Sequence, residues 1–135
     1  MPIRFEVDAG RKLVRATAHG VLTGAEIFEY QRTVWARPEV AGFNELVDMT
    51  GVTSVEQPTP GKTDHLAGLS AEMDAGGPSR FAIVASQDLY YGLGRMYGAY
   101  REARQGSLKE VRVFRSRGEA LAWLGVEEAG AAEAT

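Results

Sequence analysis

The sequence predicts a single α/β domain with a mixed, mostly parallel five-stranded sheet flanked by four helices, in the order ββαβαβαβα. Three observations carry this. Short β-like runs alternate with longer helical patterns, which is the signature of strands joined by crossover helices. One run, Phe81 to Ala85 (FAIVA), is apolar without alternation, as a central strand covered on both faces should be. Two Ser/Thr-x-x-Glu boxes, Thr23/Glu26 and Ser116/Glu119, mark helix starts just after strands.

Each element follows from its residues. Ile3, Phe5 and Val7 alternate with Arg4 and Glu6, giving a half-buried first strand. Asp8-Ala9-Gly10-Arg11 reads as a hairpin turn, and Leu13 to His19 as the second strand. Thr23 opens a helix carrying Ile27, Tyr30 or Gln31, and Val34 at helical spacing, with Phe28 and Trp35 widening its apolar face. Pro38 stops it. Glu45 to Met49 is the third strand. A polar loop follows, and a second helix starts near Pro60 with Thr59 as its cap. It runs through Leu66, Leu69 and Met73 to the break at Gly76-Gly77-Pro78.

After the central strand, Ser86 is expected to cap a long helix, with Asp88 favourable in its first turn. The expected buried stripe is Leu89, Leu93, Met96, Tyr97 and Tyr100. Val111 to Phe114 is the last strand. Ser116 opens the final helix, with Leu121, Trp123 and Leu124, and Gly125 ends it. There is no internal repeat and no linker, so one domain covers residues 1–125. An Ala/Glu-rich tail, 126–135, is expected to be mobile.

The totals exclude several classes. The 135 residues are 44% hydrophobic and 24% charged, with no cysteine, so disulfide and thiolate chemistry are ruled out. No apolar run approaches the roughly 18 residues of a membrane span, so no membrane insertion is expected. The first residues lack the apolar stretch of a signal peptide, and a cytoplasmic location is the expectation. The net charge of −3 gives no pull toward nucleic acid. Residues 95 to 117 carry seven basic and two acidic residues, a run read as a solvated face.

Chemical motifs are sparse. His19 and His65 lack the spacing of a metal site, so no metal and no cofactor are expected. No G-x-S-x-G surrounds any serine. Asp48 and Glu56 could form an acid–base pair, with His65 nearby, but a strand-end cap and a solvated loop residue account for the two carboxylates. The glycines of Gly92-Leu-Gly94-Arg-Met-Tyr-Gly98 fall inside a helix, so they cannot be a dinucleotide loop. They imply instead that something packs very close, with the sheet as the first choice and a second subunit or a ligand beside Tyr91 and Met96 as the others. Tyr91 falls off the buried stripe and is the candidate exposed aromatic.

The stretch Asn44 to Gly61 (NELVDMTGVTSVEQPTPG) carries a resemblance. With the element order, the segment DMTGVTSVE looks like the switch region of the STAS domain, the fold of bacterial anti-sigma-factor antagonists. Asp48, Thr50 and Val52 match that family's Asp-x-Ser-x-Val-like segment, and Glu56 stands where it has an aspartate. Gln57 and Pro58 occupy the places of its switch serines. A divergent bacterial subgroup, described as STAS-like or as resembling CRAL-TRIO lipid-binding domains, has a similar GLGRMY helix and a similar ending, VRVFRSRGEALAWLG.

The resemblance covers residues 1 to 125. It implies a non-enzymatic regulatory or binding module acting through protein–protein contact, STAS-like but without the usual phosphorylatable serine. An anti-sigma-factor-like protein is the implied partner, and a homodimer the implied assembly. The expected contact surface is Asp48, Thr50, Thr53, Ser54, Glu56, Gln57 and Thr59, with Tyr91 and Met96 as further binding residues. The alternative is a carrier or sensor of a small apolar ligand or lipid, held between the long helix and the sheet by Leu89, Leu93, Met96 and Tyr97. An enzyme built on Asp48, Glu56 and His65 is the third reading.

Overall fold

The computed structural model describes residues 3–56, 78–103 and 109–126. Their order is β1 (Ile3–Asp8), β2 (Leu13–Leu22), α1 (Gly24–Trp35), a 3-10 turn (Pro38–Val40), β3 (Asn44–Val55), β4 (Ser79–Val84), α2 (Asp88–Glu102), β5 (Lys109–Phe114) and α3 (Arg117–Leu124). The sheet runs β1-β2-β3-β4-β5, antiparallel between β1 and β2 and parallel elsewhere. The described residues thus form the predicted five strands and three of the predicted helices. The helix expected from Pro60 to Gly76 lies outside the described residues, as does the tail after Val126.

Local chemistry explains most boundaries. Thr23 Oγ1 accepts from the Glu26 amide at 3.3 Å and starts α1. Ser116 does the same for Glu119 at 3.3 Å and starts α3. Gly125 ends α3 with φ of 74°, the left-handed conformation that glycine adopts without Cβ strain. The Val126 amide then returns to the Leu121 carbonyl, and its side chain packs on the core. Val126 therefore belongs to the helix cap and not to the tail.

Two boundaries differ from expectation. Ser86 does not cap α2. Gln87 is the cap residue, no side chain fills the role, and the Ser86 carbonyl instead receives Arg115 at 3.2 Å. Second, β2 and β3 run on past His19 and Met49. Residues Gly51 to Val55, read as loop, pair with His19 to Leu22. Val52, Thr53 and Val55 favour extended backbone, and β2 offers them a ladder.

Residues alternate across the sheet. One face carries α1 and α2, with Val14, Ala18, Phe81, Ile83 and Val111 beneath them. The other carries α3, whose Ala120, Leu121 and Leu124 close over Leu13, Leu46, Ala82 and Val84. Each large aliphatic side chain buried there contributes about 1.5–3 kcal/mol relative to exposure.

Helix α2 sits close to the sheet because its inner face is made of glycine. A Cβ on Gly94 would lie 3.1 Å from Val113, and one on Gly98 would lie 3.3 Å from Val111. Of the three possible neighbours for these glycines, it is the sheet. The inner residues are Tyr90, Gly94, Gly98 and Arg101. The stripe predicted from hydrophobicity is therefore rotated. Leu89 is 67% exposed, and Leu93, Met96 and Tyr97 flank the contact.

Candidate functional site: an apolar cavity over a buried ionic cluster

Between α1, α2 and the sheet lies a cavity of about 180 Å³. Leu22, Ile27, Met49, Phe81, Leu93 and Met96 contribute to its walls. Gly94 also lines it, so the residue that lets α2 approach the sheet also leaves space beside it. The cavity walls are mostly apolar, so most of their surface offers ordered water no hydrogen-bond partner. Comparable voids of about 150 Å³ stay dry and accept benzene.

Tyr30, Gln31 and Glu45 give the cavity its polar end. Glu45 is buried at the start of β3 and meets two hydrogen-bond donors and an ammonium group. Tyr30 donates to its Oε2 at 2.7 Å, Trp35 Nε1 donates to the same oxygen at 3.1 Å, and Lys109 Nζ lies 3.6 Å from Oε1. The Lys109 ammonium also sits 3.2 Å from the centre of the Trp35 ring, a close cation–π contact. Burial pushes the Tyr30 phenol well above its ordinary value of 10.0, and the adjacent Glu45 carboxylate pushes the same way. Tyr30 therefore remains a neutral donor, which the short bond to Glu45 requires. A buried carboxylate is tolerated only when its lone pairs are met and a counter-charge is near, and both conditions hold here.

Sequence reasoning missed this cluster. Tyr30 and Trp35 were read as helix-face residues, and Glu45 and Lys109 lie 64 positions apart on β3 and β5. The available signal was weak: each charge stands at the start of its strand.

The predicted site residues divide between the two faces. Val47 and Met49 line the cavity, while Asp48 between them points to the α3 face. There its Oδ1 accepts from the Thr50 amide at 2.9 Å and the Thr50 hydroxyl at 2.7 Å, and its Oδ2 accepts from Arg117 at 3.2 Å. A β-bulge explains the arrangement. Thr17 pairs with Asp48 but His19 pairs with Gly51, so β3 carries an extra residue opposite Ala18. Asp48 takes up the Thr50 N–H that the interrupted ladder leaves.

Thr50, Thr53 and Ser54 are exposed, but on a strand and not on a loop. Glu56 follows directly and accepts from the Gly24 amide at 3.3 Å, bracing the start of α1. Gln57, Thr59 and His65 lie outside the described residues. Met96 lines the cavity. Tyr91 is half-buried, with the Arg115 guanidinium 4.1 Å from its ring centre, so it is not the free aromatic that was expected. It lines a separate groove of about 530 Å³ between α2 and β5, with Arg95 and Arg112. The structure thus brings Asp48 and Thr50 together, and sets Met96 apart from them across the sheet.

The basic run of residues 95–117 is dispersed. Lys109 is buried against Glu45, Arg101 is buried with a bond to Tyr97, Arg117 holds Asp48, and Arg115 pairs with Asp88 at 2.6 Å. Among the described residues, no three His, Asp or Glu side chains stand together in a way that could hold a metal ion, and no helix is long and apolar enough to cross a membrane.

Comparison with known proteins bears on the fold. No protein-family model matches the chain, and no curated protein matches it. A solved structure does. It is an uncharacterised protein of the DUF3478 family from Shewanella loihica PV-4, described as having a SpoIIAA-like fold. The similarity has a TM-score of 0.58 at 18% identity and covers 90% of this chain and 93% of that one. The fold is SpoIIAA-like. That is the STAS-like architecture which the DMTGVTSVE segment and the element order implied.

Proposed function

We propose that this SpoIIAA-like domain is a non-enzymatic binding module whose ligand is a small apolar molecule, or the apolar end of a larger one, held in the cavity between α1, α2 and the sheet. The cavity itself is the observation that supports this. Among the described residues, the sheet face under α1 and α2 leaves a pocket of about 180 Å³, although protein interiors otherwise pack to crystal-like density. A void of that size beside buried charges lowers stability, and an occupant recovers the lost contacts. Leu93, Met96 and Tyr97 line it as the carrier reading required, and Met96 adapts to irregular shapes. Leu89 has no part in it.

The test uses benzene as the probe. Thermal unfolding of the full chain with and without saturating benzene should show a rise in Tm, because a ligand that binds only the folded state stabilises it. Leu93→Trp fills the cavity and should abolish the rise while the circular dichroism spectrum stays native. A Tm that benzene leaves unchanged, or one that rises equally in Leu93→Trp, overturns the reading. Regulation through protein contact would then be the stronger proposal. Its surface would be the exposed strand end at Thr50, Thr53, Ser54 and Glu56, beside the Asp48–Arg117 pair.

A further inference from the structure

Strand β1 has one neighbour, β2, and its other edge faces no strand among the described residues. Such an edge presents unpaired N–H and C=O groups and is a template for another strand. Arg4, Phe5, Glu6 and Val7 are all exposed, with Phe5 at 39% and Val7 at 37%. Proteins commonly guard edges with a row of like charges, which repel a second copy in every register. Here the signs are mixed: Arg4 is followed by Glu6, while Asp8 at the strand end is already held by Arg11 at 2.9 Å.

The order of these residues is self-complementary. Placed antiparallel against itself with Phe5 opposite Phe5, β1 sets Arg4 opposite Glu6 on both sides of a two-fold axis, and Ile3 opposite Val7. Shifting by two residues one way puts Glu6 against Glu6 and leaves Arg4 only Asp8, which Arg11 already holds, and the other way puts Arg4 against Arg4. Like charges directly opposite destabilise a pair, whereas opposite charges and aromatic pairs stabilise it. Odd shifts mix the two faces and set Phe5 against a charged residue. One register therefore satisfies charge, face and symmetry together. An isologous two-fold contact is also the commonest geometry of homo-oligomers.

We infer that the β1 edge is a self-association surface and that its partner is a second copy of this chain, joined about Phe5 into a continuous ten-stranded sheet. Arg37 lies over the Phe5 ring, with its guanidinium 5.2 Å from the ring centre, beside the proposed contact. The inference does not depend on the cavity, which opens between α1, α2 and the sheet interior.

Sedimentation equilibrium of the full chain tests it. The contact is shorter than a standard interface, so a monomer–dimer equilibrium is expected with Kd on the order of micromolar. Arg4→Glu and Glu6→Arg should each weaken it about tenfold, and the double reversal Arg4→Glu/Glu6→Arg should restore it. Because the chain has no cysteine, Phe5→Cys introduces a single thiol at the axis, where it can form a symmetric disulfide. Val7→Cys places the two thiols too far apart and should not cross-link. A monomer at every concentration, a dimer indifferent to the charge reversals, or equal cross-linking of the two cysteine variants would each overturn the inference.

Discussion

The two faces of the sheet solve the same problem in different ways. Under α3, apolar side chains close on one another, and a carboxylate at the rim, Asp48, keeps partial access to water. Its partner Arg117 is 32% exposed. Under α1 and α2, the packing is broken twice, by a buried ion pair and by a cavity. Lys109 and Glu45 are almost fully enclosed, with side-chain exposures of 4% and 2%. Ionic contacts at a rim are replaceable, because water can take over. An enclosed ionic cluster is not, because nothing else can solvate it. The α1/α2 face therefore carries the larger energetic stakes of the two.

The largest expected effect comes from breaking the enclosed pair. Lys109→Met leaves the Glu45 carboxyl group buried without its counter-charge, beside Tyr30 and Trp35. It should cost about 3–5 kcal/mol in urea denaturation. Replacing both partners, as in Glu45→Met/Lys109→Met, should recover much of that loss. If the single and double variants lose equally, the two residues are not coupled and the contrast between the faces fails.

An intermediate effect should come from the glycine face of α2. Gly94→Val drives a branched side chain into Val113 and Ile83 and should cost about 1–3 kcal/mol in the same assay. Gly92→Ala is the control. That position is exposed with nothing within 4 Å, so the better helix former should stabilise by about 0.5–1 kcal/mol. The same sign at both positions would show that propensity and not close approach governs this helix.

The smallest effect belongs to the α3 face. Asp48→Asn keeps an acceptor for Thr50 but removes the charge that holds Arg117. A loss of about 1 kcal/mol is expected. A loss as large as that of Lys109→Met would mean that the rim is no more replaceable than the interior.

Much of the fold was legible because it is written in short-range chemistry. Thr23, Ser116 and Gly125 act within a turn of their own positions, and the run from Phe81 to Ala85 is buried throughout. Errors arose where a distant neighbour decides. Gly51 to Val55 are a strand because β2 continues beside them. Leu89 points outward because glycine and not leucine makes the inner face of α2. Ser86 loses its capping role to a geometry in which Arg115 takes its carbonyl. The site was legible only in fragments. Met96 was found, but the Tyr30–Trp35–Glu45–Lys109 cluster joins three separate elements, and no local pattern announces such a meeting. Asp48 and Met96 were grouped as binding residues, although Asp48 faces α3 and Met96 the cavity on the other side of the sheet.

The bulge in β3 has a further consequence. A strand alternates with period two, so its residues normally keep one phase from end to end. The extra residue opposite Ala18 resets that phase, and Val52 joins Ala18, Leu22 and Tyr90 in the apolar cluster on the α1/α2 side. Without the reset, an even-numbered residue would follow Asp48 to the α3 side. The strand thus contains a change of reading frame: residues 44–49 are spelled for one alternation and Val52 for the other, before a second shift opposite Gly20 and Val21. Asp48, which holds the Thr50 amide at the joint, keeps the two frames in step.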